Sequence, residues 1–103
     1  MIKIHPHAKE RMIERGVNEK EVIETVTNGE PFPVKLGRNG FRRNFIFNGL
    51  WRGKSYNIKQ VEVITVNEND DIIVITVKNI FKLIKELKWK SHMIPNIIFH
   101  ILS

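Results

Sequence analysis

The residues best suited to chemistry in this chain of 103 residues sit at its start, in His5-Pro6-His7-Ala8-Lys9-Glu10-Arg11-Met12-Ile13-Glu14-Arg15-Gly16. On a helix of 3.6 residues per turn, His7, Arg11 and Glu14 or Arg15 fall on one side, at i, i+4 and i+7 or i+8. Imidazole changes charge near neutral pH and can serve as base or acid. Guanidinium groups hold phosphate through forked N–H donors. Side chains of these kinds on one helix face could move a proton and hold an anion. A duller assignment stands beside this one. Arg11 and Arg15 can pair with Glu10, Glu14 or later acids and merely fix the helix, and His7 can satisfy a buried contact at its start.

The elements that must position these groups can be read from local signals. Pro6 suits a first helical turn, where its missing N–H costs nothing, and Gly16 suits the left-handed position that ends a helix. Ala8 and Met12 form an apolar strip for resting on a sheet. Asn18 with Glu21 three residues on predicts the capping box of a second helix, with Val22, Ile23 and Val26 as its buried stripe and Asn28-Gly29 as its end. Helix–turn–helix suggests a DNA-reading pair, but the second helix is acidic, which argues against recognition of a polyanion.

Pro31-Phe32-Pro33 reads as an extended connector, and Val34-Lys35-Leu36 as a short strand before a turn at Gly37–Gly40. Alternation from Phe41 predicts a strand ending at a turn at Asn48-Gly49, with a loop carrying Trp51 and Arg52. A strand from Tyr56 to about Val66 and another over Ile72–Val77 form a hairpin around Asn67–Asp71, the second apolar on both faces and so well covered. Ile80, Leu83, Ile84 and Leu87 recur at helical spacing opposite Lys82, Lys85 and Lys88. They predict a third, C-terminal helix over about 80–90. The tail from Ser91 is apolar and suits either covering the sheet or docking a second copy of the chain. The expected fold is α+β: two N-terminal helices, a three- to four-stranded antiparallel sheet and a C-terminal helix, in a single domain over 1–103.

Composition narrows the classes of function. With no cysteine, disulfides, thiol nucleophiles and thiolate metal sites are excluded. No apolar run approaches the roughly 20 residues that span a bilayer, and no export signal opens the chain. The expectation is a cytoplasmic protein. The net charge of +6 is unevenly spread. Between Pro31 and Val61 there is no Asp or Glu, while Lys35, Arg38, Arg42, Arg43, Arg52, Lys54 and Lys59 all fall there. Such a block suits a phosphate backbone, an acidic protein partner, or simply a solvated sheet face.

Within it, Phe41, Trp51 or Tyr56 offer stacking faces for unpaired bases. The candidate nucleic-acid contacts are Lys35, Arg38, Arg42, Arg43, Trp51, Arg52 and Lys54. His5 and His7 could share an ion, but no third ligand is signalled, so neither a metal nor another cofactor is expected. None of the three serines sits in a nucleophile elbow, and no glycine-rich loop precedes a helix.

Taken together, His7-Ala8-x-x-Arg11-Met12-x-x-Arg15-Gly16-Val17 and the Glu-rich helix ending at Asn28-Gly29 resemble a small uncharacterised family, a domain of unknown function. That family opens His-Ala-x-x-Arg-Met-x-x-Arg-Gly and ends in a hairpin whose last strand reads Ile-Thr-Val, as in Ile75-Thr76-Val77. The resemblance covers about 5–78, leaving the C-terminal helix and apolar tail, about 79–103, outside it. The His5/His7 pair is not required by the motif. The family is similar to RelE- and BrnT-like toxin domains, bacterial proteins that often cut RNA and are held in check by an antitoxin.

The resemblance implies a metal-independent endoribonuclease with His7, Arg11 and Arg15 as its catalytic positions, RNA as substrate and an antitoxin as partner. Two other readings stand beside it. One is a non-catalytic module that binds nucleic acid or an antitoxin through the basic sheet. The other is a structural homodimer joined through the C-terminal tail.

Overall fold

The computed structural model describes residues 1–84. Its elements run β1 (Ile2–Ile4), α1 (Pro6–Arg15), α2 (Glu19–Asn28), β2 (Glu30–Pro33), β3 (Asn39–Trp51), β4 (Lys54–Glu68) and β5 (Asp71–Lys82). The fold is α+β, with one five-stranded sheet in the order β1-β5-β4-β3-β2.

Both helices start and stop where local chemistry directs. Pro6 opens α1, and Gly16 closes it in the left-handed conformation at φ 67°. On α2 the Asn18 side chain accepts from the Glu21 N–H at 2.8 Å, while the Glu21 carboxylate accepts from the Asn18 N–H at 3.0 Å. The capping box is therefore complete. The buried stripe of α2 is Val22, Thr25 and Val26. Ile23, expected inside, is 41% exposed. Thr25 takes the inward position instead and satisfies its hydroxyl by donating to the Glu21 carbonyl at 2.7 Å.

The sheet departs from the expected three- to four-stranded antiparallel arrangement. It gains two edge strands, and one pairing is parallel. Ile2, Lys3 and Ile4 run parallel to Ile72, Ile73 and Val74, so the sheet is mixed. At the other edge, Glu30–Pro33 forms a strand antiparallel to Asn39–Arg42, where a connector was expected. Pro31 and Pro33 fit an edge, where an N–H can be spared from the ladder. Phe32 lies opposite Gly40, and its ring occupies the space a Cβ on Gly40 would need, at 2.6–2.7 Å.

Other boundaries move as well. Val34–Leu36 is not a strand; Leu36 and Gly37 turn the chain with φ of 65° and 69°. Asn48-Gly49 is not the end of a strand, because β3 continues through it to Trp51, with Asn48 left-handed at φ 44°. Two-residue turns then join β3 to β4 and β4 to β5, which makes both pairs antiparallel.

The expected C-terminal helix is overturned at its start. Ile80–Lys82 extend β5, and no helix follows the sheet among the described residues. The Asn57 side chain explains the extended end: its amide N–H donates to the Ile84 carbonyl at 2.7 Å, and its oxygen accepts from the Ile84 N–H at 2.9 Å. One side chain thus supplies the donor and acceptor that a neighbouring strand would offer. The rest of the expected helix and the apolar tail, with its proposed dimer contact, lie outside the described residues.

The chain forms two compact units, the first made of Met1–Arg43 and Val61–Asn79, the second of Asn44–Gln60 and the residues from Ile80 on. In the first unit the buried apolar residues are Ala8, Met12, Val17, Val22 and Val26 from the helical segment and Val61, Val63, Val74 and Val77 from the sheet. Val61, Val63 and Thr65 alternate along β4, so they share the buried face. Each fully buried valine contributes about 1.5 kcal/mol or more. Among the described residues no helix is long and apolar enough to cross a membrane.

Candidate functional site

Helix α1 separates its three candidate residues into three environments. His7 is exposed in the first turn, and its ring makes no hydrogen bond among the described residues. It therefore has no buried contact to satisfy. The capping role belongs to His5, whose Nδ1 accepts from the His7 backbone N–H at 3.1 Å. In neutral His5 this places the ring proton on Nε2. Sequence reasoning left His5 without a role because caps are ordinarily Ser, Thr, Asp or Asn. A histidine directly before a proline-initiated helix was the available signal.

Arg11 is half-exposed and its Nη1 bonds the Glu14 carboxylate at 3.0 Å. The pairing expected of a merely structural arginine is therefore present, one turn along the same helix. Arg15 is bound more deeply. Its Nη1 donates to the Val77 carbonyl at 2.6 Å, and its own carbonyl accepts from the Asn79 amide at 2.9 Å. These two contacts fasten the end of α1 to β5. Asn79 is a partner of Arg15 that the sequence did not reveal.

The basic block also divides. Lys35 and Arg38 are exposed on the turn between β2 and β3 and make no ion pair among the described residues. Arg42 and Arg43 point to opposite faces of β3, as neighbours on a strand must. The Arg42 guanidinium lies over the Phe32 ring, 4.4 Å from its centre. Arg43 reaches α2, donating to the Asn28 carbonyl at 3.3 Å and pairing with Glu24 at 3.4 Å. That arginine is committed to holding the helix.

In the second unit Arg52 and Lys54 are exposed at the β3–β4 turn, and the Arg52 guanidinium sits 5.1 Å from the centre of the Trp51 ring. Lys59, which carried no assignment in the sequence beyond its charge, is only 6% exposed.

The family model described as domain of unknown function DUF4258 matches residues 4–78. This chain belongs to the DUF4258 family. The matched segment contains both helices and the sheet from the end of β1 to Lys78, and therefore all three α1 candidates and the whole basic block. No curated protein and no solved structure matches the chain.

The exposed His7 imidazole makes no hydrogen bond among the described residues, and the half-exposed Arg11 stands a turn away on the same helix. Several solvent-facing cations come from a stretch free of acids. Among the described residues no three His, Asp or Glu side chains group to hold a metal ion.

Proposed function

We propose that this DUF4258 protein acts on RNA as a toxin-type, metal-independent endoribonuclease of the RelE/BrnT kind. The observation that carries the reading is the His7 ring, exposed at the start of α1 with no structural bond to keep it there. Its role is proton transfer at the 2′-hydroxyl or the leaving oxygen. Arg11 supplies charge to the phosphate through the donors its Glu14 pair leaves over. Arg15 holds the helix in place and does not touch RNA. The exposed cations Lys35, Arg38, Arg52 and Lys54 meet the phosphate backbone. An antitoxin that silenced such a protein would carry acidic residues to cover them.

The test is RNA cleavage by the purified protein in EDTA, beside His7→Ala and Arg11→Ala variants. Cleavage that survives chelation and is lost in His7→Ala, with RNA binding retained, supports the enzyme. A second reading, a non-catalytic RNA-binding module, is favoured by the engagement of Arg11 with Glu14 and of Arg15 with β5. It expects RNA binding without cleavage, unchanged by either substitution.

A further inference from the structure

The second unit gathers three aromatic rings around a fourth. Phe81 lies 4.9 Å from Phe47, 5.1 Å from Trp51 and 5.4 Å from Tyr56, ring centre to ring centre. Trp51 is the ring most nearly parallel to it, at 23°. Cations lie against this cluster. Arg52 is over Trp51, and the buried Lys59 has its Nζ 5.9 Å and 6.0 Å from the centres of Phe47 and Phe81.

The turn that carries Arg52 works against its own backbone preference. β3 ends at Trp51 and β4 begins at Lys54, leaving Arg52-Gly53 as the turn, with φ of 51° and 82°. Such a turn favours Asn-Gly or Asp-Gly, because both positions are left-handed. Gly53 complies. Arg52 does not, and a side chain bearing a Cβ and no local hydrogen-bonding group is strained there. The β4–β5 turn has the ordinary solution, with Asn69 and Asp70 at φ 48° and 69°. At its strained position the arginine sets an exposed guanidinium over an indole.

We propose that Trp51 and Arg52 form a stacking site for an unpaired base of single-stranded RNA. The base takes the place of the Arg52 guanidinium against the Trp51 ring, Arg52 moves onto the base plane or the adjoining phosphate, and Lys54 meets the backbone. The inference rests on the RNA reading above and narrows its substrate to unpaired strands. Phe81 backs the indole and is itself held by Phe47 and Tyr56, so the platform is set before a base arrives. Every base has a π-face that such a ring accepts. Duplex RNA keeps its bases stacked inside and offers none. The absence of acids from the whole stretch favours a polyanion, and the flat indole favours a base over the side chains of an acidic peptide.

The test uses the full chain with Trp89→Phe, which leaves Trp51 as its one indole. Its fluorescence is titrated with short single strands of adenine, with abasic strands of equal length, with duplex RNA and with polyglutamate. The adenine strand should quench Trp51 and bind about 10-fold more tightly than the abasic strand or the duplex. In the native sequence, followed by polarisation of a labelled strand, Trp51→Ala should lose about 10-fold in affinity and Trp51→Phe should keep most of it.

Arg52→Asn, the residue the turn prefers, should raise the melting temperature while weakening single-strand binding. A residue serving only the turn would not separate the two. Equal, salt-sensitive binding of adenine strand, abasic strand and duplex would overturn the stacking site and leave the RNA reading standing. No binding of any nucleic acid would overturn both. Quenching by polyglutamate alone would give the site to an acidic peptide and overturn the proposal.

Discussion

Arg15 and Val77, 62 residues apart in sequence, are joined by a 2.6 Å hydrogen bond from guanidinium to backbone carbonyl. It ties the end of the first helix to the fifth strand, and Asn79 closes the same junction by donating to the Arg15 carbonyl. A hydrogen bond with a charged donor contributes about 1.5–3 kcal/mol when part-buried. Arg15→Ala should therefore lower unfolding stability by about 2 kcal/mol in urea denaturation, and Asn79→Ala should lower it by about 1 kcal/mol.

Gly29 is the second junction between a helix and the sheet. A Cβ built there would collide with the Thr25 carbonyl oxygen and come within 2.8 Å of the Arg42 carbonyl oxygen. Both obstacles are backbone, so neither can swing away. Gly29→Ala should cost about 2–3 kcal/mol, read as a lower midpoint in the same denaturation.

Leu36 gives an opposite expectation. It sits in the left-handed region at φ 65° and is 86% exposed, so its side chain contributes strain and no burial. Leu36→Asn keeps a side chain that tolerates this conformation. It should stabilise the protein by about 0.5–1 kcal/mol, seen as a higher melting temperature.

Asp71 gives the β1–β5 end of the sheet an acid dependence. Its carboxylate accepts from Lys3 Nζ at 2.9 Å, with the chain's amino group at 3.5 Å. The Lys3 hydrogen bond, aided by its charge, holds the Asp71 carboxyl below its usual range. A lowered folded-state value means stability that is present above the unfolded carboxyl's value, about 4, and is lost as pH falls through the lower folded value. Melting temperature should fall with acidification below about pH 4, and Lys3→Met should flatten part of that fall. An unchanged acid profile in Lys3→Met would remove this pairing from the account.

How much of this was legible in the sequence follows the range of each interaction. Pro6, Gly16, Asn18 and Glu21 act on their own helix, so both helices could be read with their ends. β1 is three residues with no period to detect, and its parallel partner lies at Ile72–Val74. β2 was hidden by two prolines that an edge strand tolerates. Ile80, Leu83 and Ile84 have helical spacing, yet the Asn57 side chain pairs with the Ile84 backbone in the extended form, a contact no local pattern encodes. At the candidate site the residue types were visible and their commitments were not. Whether Arg15, Arg43 and Lys59 face solvent depends on Val77, on α2 and on an aromatic cluster centred on Phe81. That residue had been placed in a helix.

Both functional readings and the stacking site rest on one claim, that the acid-free stretch holds RNA. The salt dependence of RNA binding tests it most directly, because each phosphate contact releases counterions. Affinity for a single-stranded RNA should fall linearly with salt on logarithmic axes. Lys35→Ala, Arg38→Ala and Lys54→Ala should each reduce the slope by about 1. Arg43→Ala, whose guanidinium serves Glu24 and Asn28, should leave the slope unchanged. Affinity that is absent, or indifferent to both salt and these substitutions, would contradict an RNA-binding function for the stretch.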